Sequence, residues 1–173
     1  MPHFLQKIFP LAFLFVTGLK LNAQQSNDGT CPYIKTGNGY MIVLRENADV
    51  LAAIEEVASK EKIPSGNFTG IGFAGEVTFG FYNVVDKKFN PKTFKKVEMG
   101  SLTGSIAWKD GKPSLHIHGV ATDDKFDAYG GHILSLEVGT GSMEIYITTN
   151  SRQLERKTEQ PLGVNVLQLP CGG

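Results

Sequence analysis

The segment Ile106-Ala107-Trp108-Lys109-Asp110-Gly111-Lys112-Pro113-Ser114-Leu115-His116-Ile117-His118 runs from strand to turn to strand. Asp-Gly between two β-prone runs is a hairpin signal, because both central residues of a tight hairpin turn need positive φ. The first run reaches back to Lys95. The second, Ser114 to Ala121, alternates with period two, so Leu115 and Ile117 share one face and His116 and His118 the other.

Outward from this hairpin the chain keeps the same habit. Phe68 to Val85 mixes Gly70, Gly72, Gly75 and Gly80 with aromatic and β-branched residues, as one long bent strand or a hairpin would. Downstream, Ile133 to Val138 and Ser142 to Thr148 read as strands flanking a Gly139-Thr140-Gly141 turn, and Val164 to Leu169 as a last short strand. Tyr40 to Arg45 reads as a buried strand. After it, Asn47 is placed as the cap of a helix over Ala48–Lys60, with Val50, Leu51, Ile54, Val57 and Ala58 at helical spacing; Pro64-Ser65-Gly66 ends it. One helix beside about seven strands joined mostly by short turns predicts an α+β fold with a largely antiparallel sheet.

The N-terminus reads differently. Residues 1–23 carry a cation at Lys7, an apolar run from Ile8 to Val16 and a small-residue end at Ala23, the pattern of a cleaved export signal. Pro10, Gly18 and Lys20 interrupt it, so it falls short of the roughly 20 apolar residues of a membrane span. The expected division is a signal peptide over 1–23, an irregular polar segment over 24–39 and one domain over 40–171, in a periplasmic or secreted protein. Lys7 and Lys20 leave with the signal, so 15 cations face 17 acids, a net charge of −2. A nucleic-acid partner normally calls for a basic surplus or stripe. The densest basic stretch, Lys87-Lys88 through Lys92 to Lys95-Lys96, reads as a solvated face, so nucleic acid is not expected. Cys31 and Cys171 flank the domain and, in an oxidising compartment, are expected to form one disulfide.

Chemistry concentrates in the histidines. Apart from His3 in the signal, they are His116, His118 and His132. If residues 119–131 connect antiparallel neighbours with Lys125 near the tip, His132 falls opposite His118, and Gly130-Gly131 lets the backbones approach. The residues alone leave two readings open: a three-imidazole site for a divalent metal, or hydrogen-bonded structural histidines. Imidazoles favour zinc but also suit iron, copper, nickel and cobalt. Asp123, Asp124, Asp127 and Glu137 are nearby acids, and Glu98, a charge within a strand-like segment, is the candidate acid/base residue. Gly70-Ile71-Gly72 leads into strand rather than helix, which excludes dinucleotide and P-loop binding.

Taken together, Leu44-Arg45 and its helix, Ile63-Pro64-Ser65-Gly66 leading to Gly70-Ile71-Gly72, Phe79-Gly80-Phe81-Tyr82, Glu98 through Ile106, Asp110-Gly111-Lys112-Pro113 with His116-Ile117-His118, and Gly130-Gly131-His132 resemble the plant and prokaryote conserved (PPC) domain, the domain attached to AT-hooks in plant nuclear proteins. The resemblance implies an antiparallel α+β domain assembled as a homotrimer, with a metal, usually zinc, on His116, His118 and His132. No AT-hook segment is present, and the export signal and cysteine pair are additions to the pattern. The expected function is therefore an exported, trimeric metal-binding module that takes a small molecule or anion at the ion. The alternative is a hydrolase or lyase using metal-activated water, and DNA binding ranks last.

Overall fold

Residues 31–169 are described by the computed structural model. They form β1 (Tyr33–Thr36), β2 (Gly39–Arg45), α1 (Val50–Lys60), β3 (Ser65–Asn83), β4 (Lys88–Lys109), β5 (Lys112–Thr122), β6 (Ala128–Asn150), β7 (Glu155–Glu159) and β8 (Val164–Gln168). The strands make one mostly antiparallel sheet in the order β1-β2-β6-β3-β4-β7-β8, with β5 bridging β4 and β6. Because β3 pairs with β4, β4 with β5, β5 with β6 and β6 with β3, these four strands close on themselves as a small barrel. The central hairpin is as the Asp-Gly signal requires: Lys109 faces Lys112, and Asp110 and Gly111 take φ of 51° and 76°.

Inward-facing residues of the barrel make the core, among them Phe68, Leu102, Ile106, Ile117, Ile133, Leu136 and Ile145. α1 lies against β5 and β6 and adds Val50, Ile54, Val57 and Ala58 to it. Its cap is Asp49 rather than Asn47: the Asp49 carboxylate accepts from the Ala52 amide at 3.0 Å, so the helix starts at Val50 and not Ala48. Asn47, at φ 68°, makes the turn before the cap and donates its amide to the Val138 carbonyl.

Three further expectations give way. The segment 24–39 is not wholly irregular, since Tyr33–Thr36 forms an edge strand on β2. Gly139-Thr140-Gly141 is no hairpin turn. β6 runs straight through it as a bulge against β3: Gly72 pairs with Met143 and Ala74 with Val138, so the extra residues loop out without reversing the chain. The strand count is eight, because Glu155–Glu159 pairs with Val164–Gln168 and touches β4 at Trp108–Glu155. The signal segment and Cys171 lie outside the described residues; Cys31 is exposed.

Candidate metal centre

His116 and His118 project from the outer face of β5, opposite the face that buries Ile117. His132 stands where the barrel closes, paired with His118 of β5 on one side and Gly80 of β3 on the other. The expected register is therefore realised, with residues 123–127 forming the connection between β5 and β6. Asp123 organises that connection. Its carboxylate accepts from the Lys125 and Asp127 amides and from the Tyr129 hydroxyl, and those bonds hold its pKa below the usual range against a desolvation that pushes the other way. Gly130 permits the close approach: a Cβ there would lie 2.7 Å from the Gly119 carbonyl oxygen.

The three rings form a nearly equilateral triangle, with centroids 5.1, 5.2 and 5.4 Å apart. One nitrogen from each lies within 4.8 Å of the other two. Small side-chain rotations separate this arrangement from three nitrogens about 2.0–2.1 Å from a common centre. Among the described residues no carboxylate or thiol joins the three rings in this cluster.

The surroundings favour the neutral form of two of the rings, His132 and His116. Burial is the first cause that pushes His132 down, to about 4, with the His118 and His116 charges adding to it. Burial likewise lowers His116, followed by the positive charge of Arg156 and then His118. Neutral imidazoles present lone pairs, the form a metal takes. His132 is also held by an aromatic neighbour, since the Phe89 ring stacks on it at 4.8 Å and 16°. That contact crosses Gly80, where a Cβ would come within 2.8 Å of Phe89 and 2.9 Å of Leu134.

Within one chain Glu98 is not part of this group. It sits exposed on β4 opposite Phe73 and Thr122, whereas His118 faces Thr103 five residues farther along the strand. Glu137, beside Glu76, and the exposed Asp124 and Asp127 are also outside the cluster. Sequence reasoning passed over Phe89 and Arg156. Phe89 has no periodic signal of its own, and Arg156 lies in the polar run Glu155-Arg156-Lys157-Thr158-Glu159. The one sequence signal near it was Ser105, the hydroxyl-bearing residue beside His116 in a strand pairing readable from the hairpin.

The family model of the Plants and Prokaryotes Conserved (PCC) domain matches residues 32–151. The chain belongs to this family. The matched stretch begins one residue before β1 and takes in every element up to the end of β6. A solved structure from Ralstonia eutropha JMP134, named "Putative DNA-binding protein", is 52% identical, covering 80% of this chain and 96% of its own, with a TM-score of 0.78. One from Bacteroides thetaiotaomicron VPI-5482, named "putative dna binding protein", is 30% identical over 79% of this chain and 95% of its own, with a TM-score of 0.74. A third, a "Metal-containing Protein" from Archaeoglobus fulgidus, is 26% identical over 81% and 99%, with a TM-score of 0.70. No curated protein is similar enough to this chain to count as a match. The names of the first two do not fit the expectation that nucleic acid is an unlikely partner.

Proposed function

We propose that this PPC-domain protein binds one divalent ion, zinc by preference of its donors, through His116, His118 and His132, with water or a small anion completing the shell. The observation that carries this reading is the cross-strand pairing of His118 with His132, which with His116 brings three imidazole nitrogens within 4.8 Å of one another. The metal-containing relative from Archaeoglobus fulgidus supports it. Three protein ligands leave a coordination position open, and an ion bound there supplies Lewis acidity to whatever occupies it. The residues around the site orient His132 through Phe89 and keep its ring unprotonated. The physiological role we assign is ligand binding or sensing in the envelope. An enzymatic hydrolase or lyase role for the same site needs an acid/base group, and Glu98 could serve only from a neighbouring copy. Elemental analysis of wild type beside His116→Ala, His118→Ala and His132→Ala tests the centre: one ion per chain in wild type and little in each variant is expected. Wild-type stoichiometry in all three would refute it.

The same reading includes export after cleavage near Ala23, a Cys31–Cys171 disulfide and a homotrimer. Phe81, Val84 and Val85 at the β3–β4 tip and Phe126 at the β5–β6 tip are 62–87% exposed, which supports assembly. Light scattering should give three times the chain mass, and Phe81→Asp should lower it. Intact mass of periplasm-derived protein should lack two thiol hydrogens.

A second reading, nucleic-acid binding, is favoured by the names of two relatives. Its surface would be the Lys87–Lys96 stretch, where Lys92 lies over the Phe94 ring at 5.1 Å and the Tyr129 ring at 5.8 Å. Salt-dependent DNA binding that is lost in Lys88→Ala/Lys92→Ala would establish it. The absence of a cationic surplus (17 Lys and Arg against 17 Asp and Glu) and the pairing of Lys95 with Glu76 at 2.9 Å weigh against it.

A further inference from the structure

Arg156 on β7 is 4% exposed, and no carboxylate is paired with it among the described residues. A buried cation without a counter-charge is costly and calls for a reason. Two of its nitrogens are used. Nε donates to the Ser114 carbonyl at 3.3 Å, and Nη2 donates to the Ser105 hydroxyl at 2.7 Å and the Ser105 carbonyl at 3.5 Å. Nη1 has no hydrogen-bond partner among the described residues.

The place of these contacts matters more than their number. Ser105 faces His116 directly across the β4–β5 pair, so its hydroxyl and the imidazole share the outer face. Side chains so paired stand about 5 Å apart at Cβ. The guanidinium, clipped to that hydroxyl, therefore borders the histidine triangle. The triangle itself contains imidazoles only, so no acidic side chain in it offsets the charge of an ion or of Arg156. A guanidinium N–H gives an anionic oxygen a charge-assisted hydrogen bond, roughly twice as strong as a neutral one.

We infer that Arg156 is the anion-recognising residue of the centre, receiving one oxygen of a small carboxylate or of bicarbonate whose other oxygen fills the open coordination position. This rests on the metal-binding reading above. It makes the ligand class a planar monoanion rather than a neutral molecule. Ser105 is then a positioning residue that holds the guanidinium against the face.

The test uses the full chain loaded with cobalt(II), whose visible absorption reports both uptake and the exchange of its non-protein ligand. Acetate and bicarbonate are titrated into wild type, Arg156→Gln, Arg156→Lys and Ser105→Ala. Arg156→Gln should take up cobalt at least as tightly as wild type yet bind both anions roughly tenfold more weakly, the scale of one lost charged hydrogen bond. Arg156→Lys should recover part of the loss, and Ser105→Ala should show a smaller one. A folded, cobalt-loaded Arg156→Gln with wild-type anion affinity overturns the assignment. Should that variant fail to fold, wild-type affinity in both Arg156→Lys and Ser105→Ala overturns it instead. Wild type that takes up no cobalt refutes the metal centre itself, a result separate from loss of anion affinity alone.

Discussion

The β5–β6 pair has two faces that obey one alternation and answer to different demands. Inward, Ile117 and Ile133 are buried at 2% and 1% exposure, and what matters there is volume. Outward, His116, His118 and His132 are exposed or half-buried, and what matters is the separation of three nitrogens. The same backbone register serves both. Shifting β6 by one residue would bury His132, expose Ile133 and break the triangle in a single step. Fold and site are therefore not independent properties of this protein: the core fixes the register, and the register sets the site.

The contrast can be broken from the inward side first. Ile117→Ala should cost about 2–5 kcal/mol of folding stability in denaturant titrations, because it empties a packed position. The protein that remains folded should still hold its ion. His118→Ala should do the reverse. An exposed position away from the core costs about 0.5 kcal/mol or less in the metal-free chain, while metal retention collapses; a stability loss comparable to that of Ile117→Ala would show that the two faces do not divide as described.

A milder variant sharpens the outward side. Gly80→Ala forces Phe89 away from the position it shares with His132 and frees that ring. Metal affinity should fall about tenfold, the lower end of what supporting contacts contribute, with all three ligands still present. Unchanged affinity by competition with a chromogenic chelator would show that the stack is incidental. The last effect is on pH. His132 has a folded value of about 4 against an ordinary 6.5, so the unfolded chain takes up its proton first. Its contribution to metal-free stability is complete above pH 6.5 and lost as pH falls toward 4. A decline of the urea midpoint across that window is expected, and His132→Gln should flatten it.

How much of this was legible depended on which signal each residue gave. Alternation through Leu115–His118 and the Asp110-Gly111 turn were enough to set two strands and the shared face of two histidines. Gly130-Gly131 before His132 then placed the third. The same glycine logic misled at Gly139-Thr140-Gly141, since a bulge and a turn use the same residues and only the β3 partner decides between them. β7 was invisible because Glu155–Glu159 has no apolar alternation; its strand state comes from pairing with β8. Arg156 was lost with it. Contacts made across the fold, such as Phe89 on His132 or Arg156 on Ser105, leave no local periodicity to read.

Barrel closure has a kinetic consequence. Ser65 pairs with Asn150 and Gly80 with His132, so β3 cannot complete its ladder until β6 has arrived. The β3–β4 and β4–β5 hairpins can zip locally, but the last seam joins segments about half a chain apart, and loops of that size close slowly relative to hairpins. Refolding should therefore show early strand formation followed by a slower step. His132 meets that final seam through Gly80, but its pairing with His118 belongs to the local β5–β6 hairpin, so the three-histidine triangle can form before the barrel closes and gains its Phe89 neighbour only at closure.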